Sequence, residues 1–209
     1  YGLHGILHFA CPASPIDFEK IPFDILAVDS YGTAETVDLA FRYKSRYLLA
    51  STSEVYGDPL EHPQKETYWG NVNTLGPRAC YDEAKRFAEA YVSSAMRGRG
   101  VYRGQAFQPL NAAMVRIFNT YGPRMRPDDG RVVPELCVRG LSGRDLTVHG
   151  DGSQTRSFCY VSDLVLGIVS LFESSYNEVF NLGNPTEYSI NDFAKTVIQL
   201  TGEQSKVQY

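Results

Sequence analysis

Residues 47–56, Tyr47-Leu48-Leu49-Ala50-Ser51-Thr52-Ser53-Glu54-Val55-Tyr56, decide how the chain is read. The run from Tyr47 to Ala50 is short, apolar and uninterrupted, the pattern of a strand buried on both faces. Hydroxyl and carboxylate side chains follow at once. In an open parallel α/β sheet, ligands bind just beyond the carboxyl ends of the strands. Ser51, Thr52, Ser53 and Glu54 therefore stand where chemistry is expected. After a loop with Gly, Pro and His, Tyr81-Asp82-Glu83-Ala84-Lys85 opens a helix. Tyr and Lys at i and i+4 share one helical face. An ammonium beside a phenol favours the phenolate and lowers its pKa. That makes Tyr81 a candidate proton acceptor from a sugar or alcohol hydroxyl. A Tyr-Lys pair alone is common on solvated helix faces. Its position downstream of the strand end is what gives it meaning.

The 209 residues, 43% of them hydrophobic, suit a globular chain with a sizeable core. A net charge of -4 argues against general nucleic-acid binding. No apolar segment approaches the ~20 residues needed to span a membrane. Cys11, Cys80, Cys137 and Cys159 show neither close pairing nor metal spacing. They read as reduced, mostly buried thiols of a cytoplasmic-type protein, with no metal site.

Outward from the centre, strands and helices alternate, which argues for a parallel, doubly wound sheet. Gly5 to Phe9 reads as a short strand ending in the turn Ala10-Cys11-Pro12. Residues 24–43 carry a helix pattern. Arg- and Gly-rich residues 97–111 read as a solvated loop rather than helix. Met114 to Phe118 is the next strand, ending at Asn119 and a Gly-Pro turn. A helix is expected over about 132–142, and another over about 163–174 with Ser162 as its cap. Ser189-Ile190-Asn191-Asp192 reads as a capping box for a last helix.

The blocks Ser51-Thr52-Ser53-Glu54, Tyr81-x-x-x-Lys85, Arg116-x-Phe118-Asn119-x-Tyr121-Gly122-Pro123-Arg124 and Gly150-x-Gly152-x-Gln154-x-Arg156 resemble the extended short-chain dehydrogenases/reductases. These are nucleotide-sugar epimerases, dehydratases and decarboxylases. The resemblance implies a Rossmann-like sheet and a smaller lobe that closes over a sugar nucleotide. Residues 1–123 would hold part of the NAD-binding domain and its catalytic residues. Residues 124–209 would be mainly the substrate lobe, with 161–185 partly returning. The resemblance implies NAD as cofactor, a UDP-sugar as substrate and a homodimer. It places Thr52, Ser53, Glu54, Tyr81, Lys85 and Arg156 in catalysis. Ala10, Ala50 and Ser51 join Tyr81 and Lys85 on the cofactor. Pro12, Asn119, Arg131, Val132, Gln154 and Arg156 would touch the substrate. Asp29 stands where this family usually has Asn, a departure that touches any cofactor contact there. The Gly-x-x-Gly-x-x-Gly turn that cradles a pyrophosphate is not in this sequence, and the chain starts at Tyr1. It therefore reads as a piece of a longer protein, entering at the family's fourth strand.

Within the family, Gly76-Pro77-Arg78-Ala79-Cys80-Tyr81-Asp82-Glu83 is most similar to the branch that decarboxylates UDP-glucuronate to UDP-xylose through a 4-keto intermediate. Related 4,6-dehydratases of the dTDP-glucose type place Asp between Thr and Glu, to expel a hydroxyl; here that position is Ser53. A 4,6-dehydratase or 4-epimerase is the alternative enzyme. A non-catalytic binding or dimerisation paralogue lacking the cofactor lobe is the alternative that is not an enzyme.

Overall fold

The computed structural model describes residues 2–202 and 204–209. Four strands form one parallel sheet in the order Gly5–His8, Arg46–Thr52, Ala112–Ile117, Val179–Leu182. Strand order follows chain order, so the reversal that makes a topological switch point is not among these four. The parallel sheet that the alternating pattern predicts is present, and with it the Rossmann-like form that the resemblance implies. Every residue of Arg46–Thr52 is buried, as its unbroken apolar run requires.

The helix Ala79–Arg97 lies against this strand through small side chains. Ala88, Val92 and Ala95 meet Tyr47, Leu49, Ala112 and Met114 in one buried cluster with Val37 and Ala40. Alanines at these positions let helix and sheet approach closely. Arg46 anchors the sheet's other end: its guanidinium donates to Asn111 Oδ1 at 2.6 Å, to Tyr176 O at 2.5 Å and to Asn177 Oδ1.

The pattern over 24–43 resolves into helix Pro22–Ala27, a π-helical turn Val28–Gly32 and helix Thr33–Tyr43. Residues 97–111 are not simply a solvated loop. Val101–Tyr102 and Gln105–Ala106 form a short antiparallel hairpin. The Tyr102 ring packs 5.4 Å from Phe41 and 6.1 Å from Phe107, and this apolar contact overrides the polar composition. Gly57, at φ +65°, ties the following loop down: a Cβ there would stand 2.1 Å from Asn71 O. That backbone bridges to Asn71 directly.

The chain divides into two compact units. One holds the segments up to Ala13, Asp17–Ile117 and Val165–Leu182, and with them the sheet. The other holds Ser14–Ile16, Phe118–Leu164 and the chain from Gly183 onward. In that second unit the helices Val132–Leu141 and Ile190–Leu200 pack around Leu136, Leu146, Val148, Ala194 and Val197. Gly140 permits their approach, since a Cβ there would lie 2.8 Å from Thr201 Oγ1. Ser189 caps the last helix as expected, accepting from the Asp192 amide at 3.0 Å. Ser162 is no cap: the helix Val161–Glu173 already includes it, and its hydroxyl turns to Asp163. Among the described residues, no helix is long and apolar enough to cross a membrane.

Candidate active site

The strand Arg46–Thr52 ends in a 3-10 turn, Ser53–Tyr56. Thr52 is extended, and its Oγ1 accepts the Glu54 amide at 3.2 Å, which caps the turn and orients the hydroxyl. Tyr81 sits near the start of helix Ala79–Arg97, only 7% exposed, with its ring stacked 4.9 Å from Phe18. Its hydroxyl hydrogen-bonds Thr52. One turn on, the buried Lys85 Nζ donates to Ala50 O and to Asp29 Oδ1, each at 3.1 Å, and lies 5.9 Å from the Tyr81 ring centroid. The structure thus brings Thr52, Tyr81 and Lys85 together, as the spacing predicts. An ammonium has three donors. The two described bonds leave Lys85 capacity for one more.

The expected lowering of the Tyr81 pKa is not what the site shows. Burial raises it; the Thr52 hydrogen bond pulls back, while Cys11, Asp29 and Glu54 raise it further. The Lys85 charge is instead shared with Asp29. The Asp29 side chain is wholly buried, and its second oxygen accepts from Cys11 Sγ at 3.0 Å. Burial, opposed by Lys85 and reinforced by Asp29, pushes the Cys11 thiol up to about 12, so it stays protonated and donates. Nearby, His8 Nε2 meets Thr33 Oγ1 at 3.2 Å; burial first, then the Lys85 charge, lowers its pKa. Reading the sequence missed Asp29 as a partner of Lys85. Its only sequence signal was that it departs from the family pattern.

Glu54 is half-buried and pairs with Arg78 at 2.6 Å, and the Arg78 guanidinium lies 5.4 Å over the Phe18 ring. Ser53, also half-buried, opens the 3-10 turn. The Ser51 hydroxyl is turned away, donating to Glu89 Oε1 at 2.5 Å. Ala50 is buried and offers its carbonyl to Lys85. Ala10 is exposed and Pro12 half-buried in the turn after the first strand. All four cysteines are free thiols, but only Cys159 is buried; Cys11, Cys80 and Cys137 are partly exposed, against the expectation of mostly buried thiols.

The remaining candidates lie in the second unit. Asn119 is exposed, and its backbone carbonyl accepts the Cys159 amide at 2.9 Å. Arg131 is the N-cap residue of helix Val132–Leu141, and Val132, half-buried, its first residue. The Arg131 guanidinium is gripped at two points by the buried Asp129, whose carbonyl accepts from Ser14 at 2.8 Å. Gln154 donates to His149 O at 2.9 Å. Arg156 is exposed, with Nη1 on Thr155 O at 2.7 Å. A guanidinium with free donors suits phosphate or carboxylate.

Residues 1–183 match the model of the NAD dependent epimerase/dehydratase family. UDP-glucuronic acid decarboxylase 1 of Arabidopsis thaliana is 48% identical over 204 residues, 98% of this chain and 45% of that protein. UDP-glucuronic acid decarboxylase 1 of Xenopus tropicalis is also 48% identical, over 98% of this chain and 46% of its own length. The chain therefore spans about half the length of these relatives. Among solved structures, UDP-glucose 4-epimerase from Thermotoga maritima, with UDP-glucose, superposes with a TM-score of 0.82 at 25% identity, covering 98% of this chain and 64% of that one. An NAD-dependent NDP-hexosamine 5,6-dehydratase of tunicamycin biosynthesis gives 0.80 at 29%, covering 98% and 62%.

Proposed function

The chain belongs to the NAD dependent epimerase/dehydratase family, and we propose that the intact protein decarboxylates UDP-glucuronate to UDP-xylose through a 4-keto sugar. The observation that carries this reading is Ser53. It stands at the strand end between Thr52 and Glu54, where expulsion of a hydroxyl as in dTDP-glucose-type dehydratases would call for a carboxylic acid. Carbon dioxide leaves unprotonated and needs none. The name shared by relatives 48% identical across this chain supports the same choice.

NAD is the cofactor of this proposal, and the residues present fit its nicotinamide-ribose half. Lys85 keeps a donor for a ribose hydroxyl, and Tyr81 and Thr52 offer hydroxyls beside it at the strand end. When bound, NAD supplies reversible hydride acceptance at the sugar's C4. The chain's own part is proton handling. Thr52 holds the C4 oxygen, and Tyr81 takes its proton and later returns it. The carbonyl so formed is β to the C5 carboxylate, so the electrons left by carbon dioxide are stored as an enolate. Glu54 and Ser53 are assigned to the proton that C5 then receives. In the second unit, Arg156 is assigned to the anionic sugar. Asn119, Arg131, Val132 and Gln154 are assigned to the nucleotide diphosphate, Pro12 to the substrate and Ala10 to the cofactor side.

A homodimer is part of the proposal. The helix Ala79–Arg97 presents a half-exposed Phe87 packed 6.0 Å from Tyr91, apolar surface suited to a second copy. Four free thiols suit a reducing, cytoplasmic setting. The test is to incubate the intact protein with NAD⁺ and UDP-glucuronate and follow product mass. Loss of carbon dioxide to give a UDP-pentose is expected. Unchanged substrate in a protein that binds NAD would overturn the decarboxylase and return the 4,6-dehydratase or 4-epimerase reading.

A further inference from the structure

The buried pair between Asp29 and Lys85 is the least expected feature of this unit. A carboxylate with no solvent exposure is costly unless paired and hydrogen-bonded. Here it is both: Lys85 Nζ sits on Oδ1 at 3.1 Å and Cys11 Sγ on Oδ2 at 3.0 Å. The π-helical turn Val28–Gly32 carries Asp29 and directs it inward, since an extra residue in the turn shifts which side chain faces the sheet. Lys85 is held from two elements, by this carboxylate and by the Ala50 carbonyl. Both protein bonds are of ordinary length, and the ammonium lies 5.9 Å from the centroid of the Tyr81 ring.

We propose that Asp29 is a positioning residue for the Tyr81–Lys85 pair: its carboxylate fixes the ammonium against the strand end and takes up part of the charge that Tyr81 would otherwise feel. A lysine facing only dipoles would lend its full charge to the phenolate. A lysine already neutralised by a buried carboxylate lends less, and the carboxylate itself opposes a second anion nearby. The groups that face the phenol act in the same sense. Burial disfavours the phenolate most, Cys11, from the turn after the first strand, Asp29 and Glu54 add to it, and the Thr52 hydrogen bond opposes them. Cys11 and His8 flank the ion pair itself, the first protonated and the second made harder to protonate by burial and Lys85. Cys80 is the other thiol whose charge would be felt at Cys11. The site therefore trades acidity of the phenol for a lysine fixed in place.

The role assigned to Tyr81 rests on the proposed function; the following titration does not need that function to be right. In the intact protein, Asp29→Asn keeps the shape and removes the charge. Tyrosinate formation is read by ultraviolet absorbance, with each protein compared against its own Tyr81→Phe version so that one phenol is isolated. The Tyr81 titration in Asp29→Asn is expected to move down by about one pH unit. If turnover is present, the acid limb of its pH profile moves the same way. A Tyr81 titration that coincides with the parent's would overturn the proposal, whatever happens to stability. Should Asp29→Asn fold poorly, Asp29→Glu is the second variant: it keeps the charge, and its Tyr81 titration is expected to stay at or above the parent's. A Tyr81 titration that falls by about a full pH unit in Asp29→Glu would mean that the packing of Asp29, not its charge, acts on the phenol, and would sink the assignment.

Discussion

Two buried phenols lie close in the fold and differ in almost everything but chemistry. Tyr56 is 1% exposed and Tyr81 7%. Tyr56 OH donates to Asn181 Oδ1 at 2.7 Å and accepts from Arg116 Nη1 at 2.8 Å. Arg116 in turn grips Glu89 at 2.7 and 2.9 Å and reaches Glu66 O at 3.0 Å. Glu66 closes the ring by accepting the Asn181 amide at 2.8 Å. Nearly every donor and acceptor in that cluster is spent on the protein. Around Tyr81, by contrast, the phenol has Thr52 and the lysine has a donor to spare. Both clusters are buried and both are ionic. The helix Ala79–Arg97 feeds both, with Tyr81 and Lys85 on successive turns and Glu89 on the next. Burial and charge do not tell a structural network from a chemical one. Unspent hydrogen-bonding capacity does.

The comparison breaks most readily at Tyr81. Tyr81→Phe removes one oxygen from the unsaturated cluster. Turnover of UDP-glucuronate is expected to fall by about 10²–10⁴-fold, while the unfolding free energy from urea titration falls by no more than about 1 kcal/mol, the worth of the Thr52 hydrogen bond. An active Tyr81→Phe protein would place the base elsewhere. Nearly as large, and on the other side of the comparison, is Glu89→Ala. It strands the partly buried Arg116 guanidinium and also frees Ser51, so unfolding free energy should drop by about 3–5 kcal/mol. A loss below 1 kcal/mol in urea unfolding would show that the network does not hold the sheet as its geometry indicates.

How much of this could be read from sequence follows the range of the contacts. The strand Arg46–Thr52 announces itself by local apolarity, and the helix of Tyr81 and Lys85 by spacing within one turn. Capping by Ser189 is likewise a three-residue matter. The Asp29–Lys85 bond joins residues 56 positions apart. It depends on a π-helical turn that no periodicity in residues 24–43 reveals. The hairpin after residue 97 was hidden for a similar reason: Arg and Gly dominate its composition, while Tyr102 and Phe107 find Phe41 only in three dimensions. The direction of the Tyr81 shift could not be read from its neighbour Lys85 alone, because a distant residue had already claimed that charge.

Asp82 sharpens the comparison from a third position, a buried carboxylate in neither network. Its Oδ1 has no hydrogen-bond partner in the structure. Burial, with the Glu54 charge adding, pushes its pKa up to about 6. The native state therefore holds its proton over a range where the unfolded chain has released it, and stability falls as pH rises from about 4 to about 6. Asp82→Asn removes that loss. Thermal unfolding should show the variant more stable by about 1–2 kcal/mol above pH 6, with the gain shrinking toward pH 4. A gain that does not depend on pH would mean the carboxylate finds a partner in solution.

The smallest effect is the most telling, because it repeats the first edit on the other phenol. Tyr56→Phe removes one oxygen from a saturated cluster. Arg116 keeps both bonds to Glu89 and the one to Glu66, so its charge stays paired. Asn181 keeps its Nδ2 bond to Gln64 O at 3.0 Å but loses the partner of its Oδ1. The expected cost is about 1–2 kcal/mol of unfolding free energy, measured by urea titration, with turnover within about twofold of the parent. The two Tyr→Phe variants would then show opposite profiles, activity lost at one and stability at the other, from the same chemical change. If Tyr56→Phe instead lost turnover at full stability, spent hydrogen-bonding capacity would no longer separate the two clusters, and the network of Arg116 would have to be counted as part of the chemistry.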